Sequence, residues 1–259
     1  MSVDSRVPFL AETVMDVRLG EGVAMKRFVR LWVNLAGVVL LTACATGGPP
    51  AAYYNDQLPM YGGSGPRDDP AVQAEDEKLI ADLIHRYGSR QAAAQSLLEL
   101  GGRYFQAGNY AMAMHSFNQA WLLNPDSPDP FWGFAIVYDD QGKSCDAKAM
   151  IDRALSLNLS KPTELADAGR IYTYCAVSDT SLGTADRQQY FNRSEELYSR
   201  AVSMASDNPY IYGSWAIAHY WQGDYADAWK MIKRQQALGG QPGEDFLSLL
   251  RARMAESPR

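Results

Sequence analysis

Residues 94–127 carry small and aromatic side chains at spacings that the chain then repeats. Leu97, Leu100, Gly101, Tyr104, Gly108, Ala113, Phe117 and Ala120 are matched, 34 positions later, by Phe131, Phe134, Ala135, Tyr138, Gly142, Ala147, Ile151 and Ala154. Tyr110 and Pro125 complete the first unit; in the second, Leu159 replaces the closing proline and the break is deferred to Pro162. A further copy opens at Pro209 and shows Tyr212, Trp215, Ala216, Gly223, Tyr225, Ala228 and Ile232. Self-similarity at such a period marks one supersecondary unit stacked on copies of itself, because a single unit cannot bury its own apolar face. That excludes most folds before composition is consulted.

Pro128 and Pro209 lie 81 positions apart, 13 more than two periods of 34, so the third unit contains an insertion. Apolar residues at helical spacing predict its first helix over 163–176, with Leu165, Ala168, Gly169 and Tyr172, and its second over 188–204, with Leu197, Tyr198 and Ala201. The extra residues then fall in the polar stretch 177–187, as a loop that is either tolerated cheaply or functional. Ahead of the repeats, Val72, Leu79, Ile80, Leu83 and Ile84 share one helical face that Gly88 ends. Behind them, 243–256 places Phe246, Leu249, Leu250 and Met254 on one side, with Arg251 and Arg253 outward.

The quoted residues resemble the tetratricopeptide repeat, a pair of antiparallel helices with a closing turn. The resemblance implies an all-α fold, a right-handed α-solenoid of about four helix pairs: 94–127, 128–161, 162–208 with the insertion, and 209–240. Segments 71–93 and 241–259 would be the capping helices that cover the apolar ends of such a stack. It further implies a concave surface built from the first helix of each pair, to which Phe105, Gln106, Trp132, Ile136, Asp139, Asp140, Arg170, Tyr174, Tyr210, Tyr220 and Trp221 would contribute. Aromatic rings with a few fixed polar groups suit an extended or helical peptide, although any one such ring on a repeat helix is more often core than ligand contact. Family members that bind chaperone tails hold a C-terminal carboxylate with Lys, Arg and Asn. Asp139, Asp140 and Arg170 disfavour that ligand here. The same resemblance puts Cys145 and Cys175 on one rim, on helices that pack together, within the ~7 Å that a disulfide needs; the other reading is two small thiols.

The N-terminal third carries a different signal. Lys26, Arg27 and Arg30 precede an apolar run over 31–41, which ends in Leu41-Thr42-Ala43-Cys44. The run is shorter than the ~20 residues that span a bilayer and suits the central region of a signal peptide. Its end resembles the bacterial lipobox, which implies a signal peptide over 25–43 and lipidation of Cys44 by several acyl chains, palmitate among the common ones, enough for stable anchoring. Translation is then expected to start at Met25. Residues 1–24, with Asp4, Glu12, Asp16 and Glu21, are read as an upstream extension, and the purine-rich codons open to Gly20-Glu21-Gly22 suit a ribosome-binding site. Ala45, rather than Asp, after the cysteine favours the outer membrane facing the periplasm. Segment 44–70 is rich in Gly and Pro and reads as a disordered tether.

No nucleophile elbow, phosphate loop or paired-histidine zinc helix occurs in the sequence, and His85, His115 and His219 each stand alone on a helix. No cofactor, metal or catalytic constellation is expected. The net charge of -6 and the absence of clustered Lys and Arg speak against nucleic acid. The chain is thus expected to be a tetratricopeptide scaffold or adaptor lipoprotein of a Gram-negative envelope, similar to pilotins and Flp pilus assembly proteins, with a protein or peptide partner. A self-associating structural subunit, and a cell-wall ligand binder or enzyme, are the alternatives.

Overall fold

The computed structural model describes residues 55–62 and 69–256. The extension 1–24, the signal segment 25–43, Cys44, Tyr53 and Tyr54 lie outside the described residues. The described part is all-helical, without a strand: α1 Pro70–Tyr87, α2 Arg90–Gln106, α3 Tyr110–Leu123, α4 Asp129–Asp140, α5 Ser144–Ser156, α6 Pro162–Ser178, α7 Thr184–Met204, α8 Pro209–Gln222, α9 Tyr225–Ala237 and α10 Glu244–Arg253.

Local chemistry sets these boundaries. Backbone N–H groups in the first turn need acceptors, and side chains just before the helix supply them. Asp69 accepts from Ala71 N at 2.8 Å, Ser89 from Ala92 N at 3.1 Å, Asn109 from Met112 N at 3.2 Å and Asn208 from Tyr210 N at 3.0 Å. Proline follows the cap at α1 and α8, where its missing N–H costs nothing. The turns α2–α3, α4–α5 and α8–α9 each pass through a glycine with positive φ: Gly108 at 70°, Gly142 at 74° and Gly223 at 88°. These fall at one and the same repeat position. The third unit lacks that glycine and joins its helices through residues 179–183 instead.

Each helix packs on its chain neighbours, and a second series of contacts runs α2 to α4, α4 to α6 and α6 to α8. α1 lies on α2 and α3, and α10 on α9. Two aromatic residues fasten the series. A Cβ placed on Gly101 of α2 or Gly133 of α4 would stand 2.5 or 2.7 Å from the ring of Phe117, which is fully buried and comes from α3. Tyr198 of α7 lies equally close to Gly169 of α6, and its hydroxyl reaches the carbonyl of Ser214 in α8 at 3.0 Å. α3 and α7 thus each drive a ring into the seam between the first helix of their own pair and that of the next.

The structure departs from the sequence expectations in three places. The tether is not wholly without structure: residues 55–62 lie on α3, with Tyr61 and Pro59 buried and a turn over Pro59–Gly62. Asn118, fully buried on α3, accepts from Tyr61 N at 3.2 Å and donates to the carbonyls of Asp56 and Leu58 at 3.3 and 2.9 Å. Tyr61 also meets Trp121 edge-on at 6.5 Å. The inserted loop is short, because most of the extra residues lengthen α7, which begins at Thr184 rather than 188. Asp179 closes the remaining turn by accepting from Ser181 N at 2.9 Å, and Tyr190 packs at right angles on Tyr172 while Lys148 sits 4.8 Å over the ring of Tyr172 and 4.5 Å over that of Tyr190. In α10 the buried residues are Leu247 and Leu250, whereas Leu249 and Met254 are exposed. That helix is turned so that Phe246, Leu247 and Leu250 meet α8 and α9.

Cys145 and Cys175 are joined, with Cα atoms 4.7 Å apart. The bond links the start of α5 to the end of α6.

Candidate functional site

Because α4, α6 and α8 follow one another in contact, residues more than 30 positions apart meet on one face. Arg170 of α6 is its centre. The guanidinium reaches Asp139 Oδ2 of α4 through Nη2 at 3.1 Å and Nε at 3.3 Å, Asp167 Oδ1 through Nη2 at 3.3 Å, and the hydroxyl of Tyr210 in α8 through Nη1 at 3.4 Å. Asp167 also accepts from Trp132 Nε1 at 3.1 Å and from the Tyr210 hydroxyl. Four expected groove residues, Trp132, Asp139, Arg170 and Tyr210, therefore form one hydrogen-bonded group around Asp167, which sequence reasoning missed. The available signal was spacing: Asp167 lies three residues before Arg170 on a helix, the distance at which opposite charges meet.

The group extends at both ends. Tyr110 at the start of α3 donates to Asp140, and its ring lies 6.2 Å from that of Phe105. Beyond Asp167, Glu164 binds Lys161 at 3.0 Å, and Lys161 binds Asp129 at 2.7 Å. None of Tyr110, Glu164, Lys161 and Asp129 was anticipated from sequence.

Burial and charge pull in opposite directions here. Burial raises the pKa of the Asp139 carboxyl above its ordinary value, against the downward pull of Arg170. Glu164 is raised by burial in the same way, against Lys161. Burial opposes the charge of Arg170, but Asp139 and Asp167 overcome it and keep the guanidinium protonated. Tyr210 is raised by burial and again by Asp167, so its hydroxyl stays a donor.

The other groove candidates stand outside this hydrogen-bonded group. Tyr174 meets Trp221 edge-on at 6.2 Å, and Trp221 meets Tyr220 at 5.5 Å. Tyr220 also packs on Tyr225 and on Phe246 of α10, which ties it to the C-terminal contact. Gln106 is exposed. Ile136 does not face a groove: it is 5% exposed and belongs to the main core. α4 is packed from several sides, so its run 133–137 is buried without interruption, and a position one step off the stripe is still inside.

Two histidines are not solitary. His219 stacks on Trp215 at 5.6 Å, Trp215 stacks on Tyr198 at 5.4 Å, and His219 Nδ1 lies 3.8 Å from Glu195. His115 Nδ1 lies 3.2 Å from Asp56 of the docked segment. Among the described residues no cluster of three or more His, Cys, Asp or Glu is arranged to hold a metal ion, and no helix is long and apolar enough to cross a membrane.

The chain matches no protein-family model, and no curated protein is detectably similar to it in sequence.

Proposed function

We propose that this chain is a tetratricopeptide-type α-solenoid that acts as an adaptor, docking a protein segment on the face of α2, α4, α6 and α8 without making or breaking a covalent bond. The observation that carries this reading is the alignment of Phe105, Trp132, Asp139, Arg170, Tyr210 and Trp221 along successive helices of one series. Rings anchored by hydrogen bonds lose little freedom when a partner covers them, which favours peptide recognition over chemistry. Lipidation at Cys44 and placement on the periplasmic side of the outer membrane belong to the same proposal. They rest on the basic start, the apolar run and Leu41-Thr42-Ala43-Cys44.

Crosslinking and pull-down from membranes, comparing wild type with a Trp132→Ala plus Trp221→Ala variant, test the docking face. The variant is expected to lose partners that wild type retains while keeping the helical circular-dichroism spectrum. An identical set of captured partners would remove the groove from consideration. Labelling with radioactive palmitate, lost in Cys44→Ser, tests the anchor in the same cells.

A further inference from the structure

Residues 55–62 are held on α3 more firmly than a passing loop would be. Asn118 is fully buried and spends its whole carboxamide on them: the oxygen accepts from Tyr61 N, and the nitrogen donates to the carbonyls of Asp56 and Leu58. An amide removed from water needs partners at both ends, and here the segment supplies them. Met60 and Tyr61 lie at φ 53° and 58°, in the left-handed region that a residue with a Cβ keeps only where its surroundings impose it. Those surroundings are visible: Tyr61 is 4% exposed, Met60 packs against the main core, and Asp56 lies 3.2 Å from His115. Asn55 N donates to the carbonyl of Tyr61 at 3.3 Å, so the segment closes on itself and the chain enters and leaves it at one place.

We infer that residues 55–62 are the fixed point of the membrane tether, so that the lipid anchor is joined to α3 and not to the start of α1. This rests on the lipidation of Cys44 proposed above and adds to it the distance at which the helices are held. Asn55 lies eleven residues beyond Cys44, whereas Asp69, the cap of α1, lies twenty-five beyond it. At no more than ~3.6 Å per residue the first path spans at most about 40 Å and the second at most about 90 Å. Docking therefore more than halves the greatest distance between the bilayer and the helices, and residues 63–68 take no part in setting it. α3 is kept within the shorter distance of the lipid surface, and a pull on the anchor bears on Asn118 and Tyr61 before it reaches α1.

The test takes the full chain, extracted from membranes in detergent, into a supported bilayer and measures the water gap beneath the helices by neutron reflectometry. A Gly/Ser insertion of about 20 residues between Gly47 and Gly48 is expected to widen the gap by about 10 Å or more, and the same insertion between Gly63 and Ser64 to leave it unchanged. Combining Tyr61→Ala with Asn118→Ala frees the segment, and in that background the second insertion should widen the gap as well. If the double variant loses its helical circular-dichroism spectrum, the two insertions in the otherwise wild-type chain decide alone, since neither touches the docked residues. Equal widening by both insertions overturns the fixed point and leaves the lipid anchor standing, and so does a gap that neither insertion moves. A wild-type chain that fails to float with lipid vesicles overturns the anchor and the inference together.

Discussion

Phe117 shows how single residues hold the helices together. Its ring occupies the space that side chains at Gly101 and Gly133 would need, so these two glycines are set by close approach and not by backbone conformation. Gly102, next to the first of them, has nothing within 4 Å of where its Cβ would stand. The neighbours should therefore respond in opposite ways. Gly133→Ala forces the Phe117 ring aside and is expected to cost about 1–3 kcal/mol, the usual range for overpacking a filled core. Gly102→Ala, in a helix interior with free space, is expected to gain about 0.5–1 kcal/mol by restricting the unfolded chain. Urea midpoints of the two variants decide; a neutral Gly133→Ala would show that the seam is looser than the geometry implies. The contrast was legible in part, since the 34-residue period marks Gly101 and Gly169 as core positions and passes over Gly102. Gly133 escaped, because it lies one place outside the repeating set. The Arg170 site was legible to the same degree: periodicity located α4, α6 and α8 and the residues beside their core stripes, but Asp167 and Glu164 join the site through contacts across helices that no spacing within one repeat encodes.

At the scale of elements, two of the departures from expectation have a common cause. Composition and period describe what a segment does by itself or with its copies, whereas both α7 and the 55–62 segment are decided by a partner elsewhere. Residues 184–187 lack an apolar stripe and by sequence belong to a loop, yet they continue a helix that Tyr190 anchors against Tyr172 and Lys148. Residues 55–62 are rich in turn formers, yet Asn118, about 60 positions away, supplies three hydrogen bonds that their backbone otherwise makes to water. Asn118→Ala removes all three at once. It also leaves Trp121 and its neighbours on α3 in place, so the helix array has no reason to change. Hydrogen exchange should then show loss of protection at the Tyr61 amide with little change in α4 to α6, and limited proteolysis should cut within 55–62. Undiminished protection at Tyr61 would mean that burial of its ring, and not Asn118, retains the segment.

For the molecule as a whole, the order of the hydrophobic clusters bears on how it unfolds. Leu83, Ala93, Leu97, Ala120 and Leu123 join α1 to α3; a large cluster runs from α3 to α8; and Ala216, Ala228, Trp229, Ile232, Leu247 and Leu250 join α8, α9 and α10. The clusters thus follow one another along the chain, each sharing an element with the next. In such an arrangement a perturbation at one end weakens its neighbours first and fades with distance, because each unit is stabilised mainly by the units it touches. Ending the chain after Gln241 removes α10 and with it Phe246, Leu247, Leu250 and the acceptor that Met254 offers to Trp229 Nε1 at 3.0 Å. Trp229 and Ile232 then face water, at a cost of about 1.5–3 kcal/mol for each large side chain uncovered. Amides of α8 and α9 should lose exchange protection first, while α2 to α5, held by Phe117 and by the Cys145–Cys175 bond between α5 and α6, should keep theirs. A closed globule of the same ten helices would lose protection throughout when one wall is removed. Uniform loss after truncation would therefore count against a stacked array, and with it against a docking face that runs along successive helices.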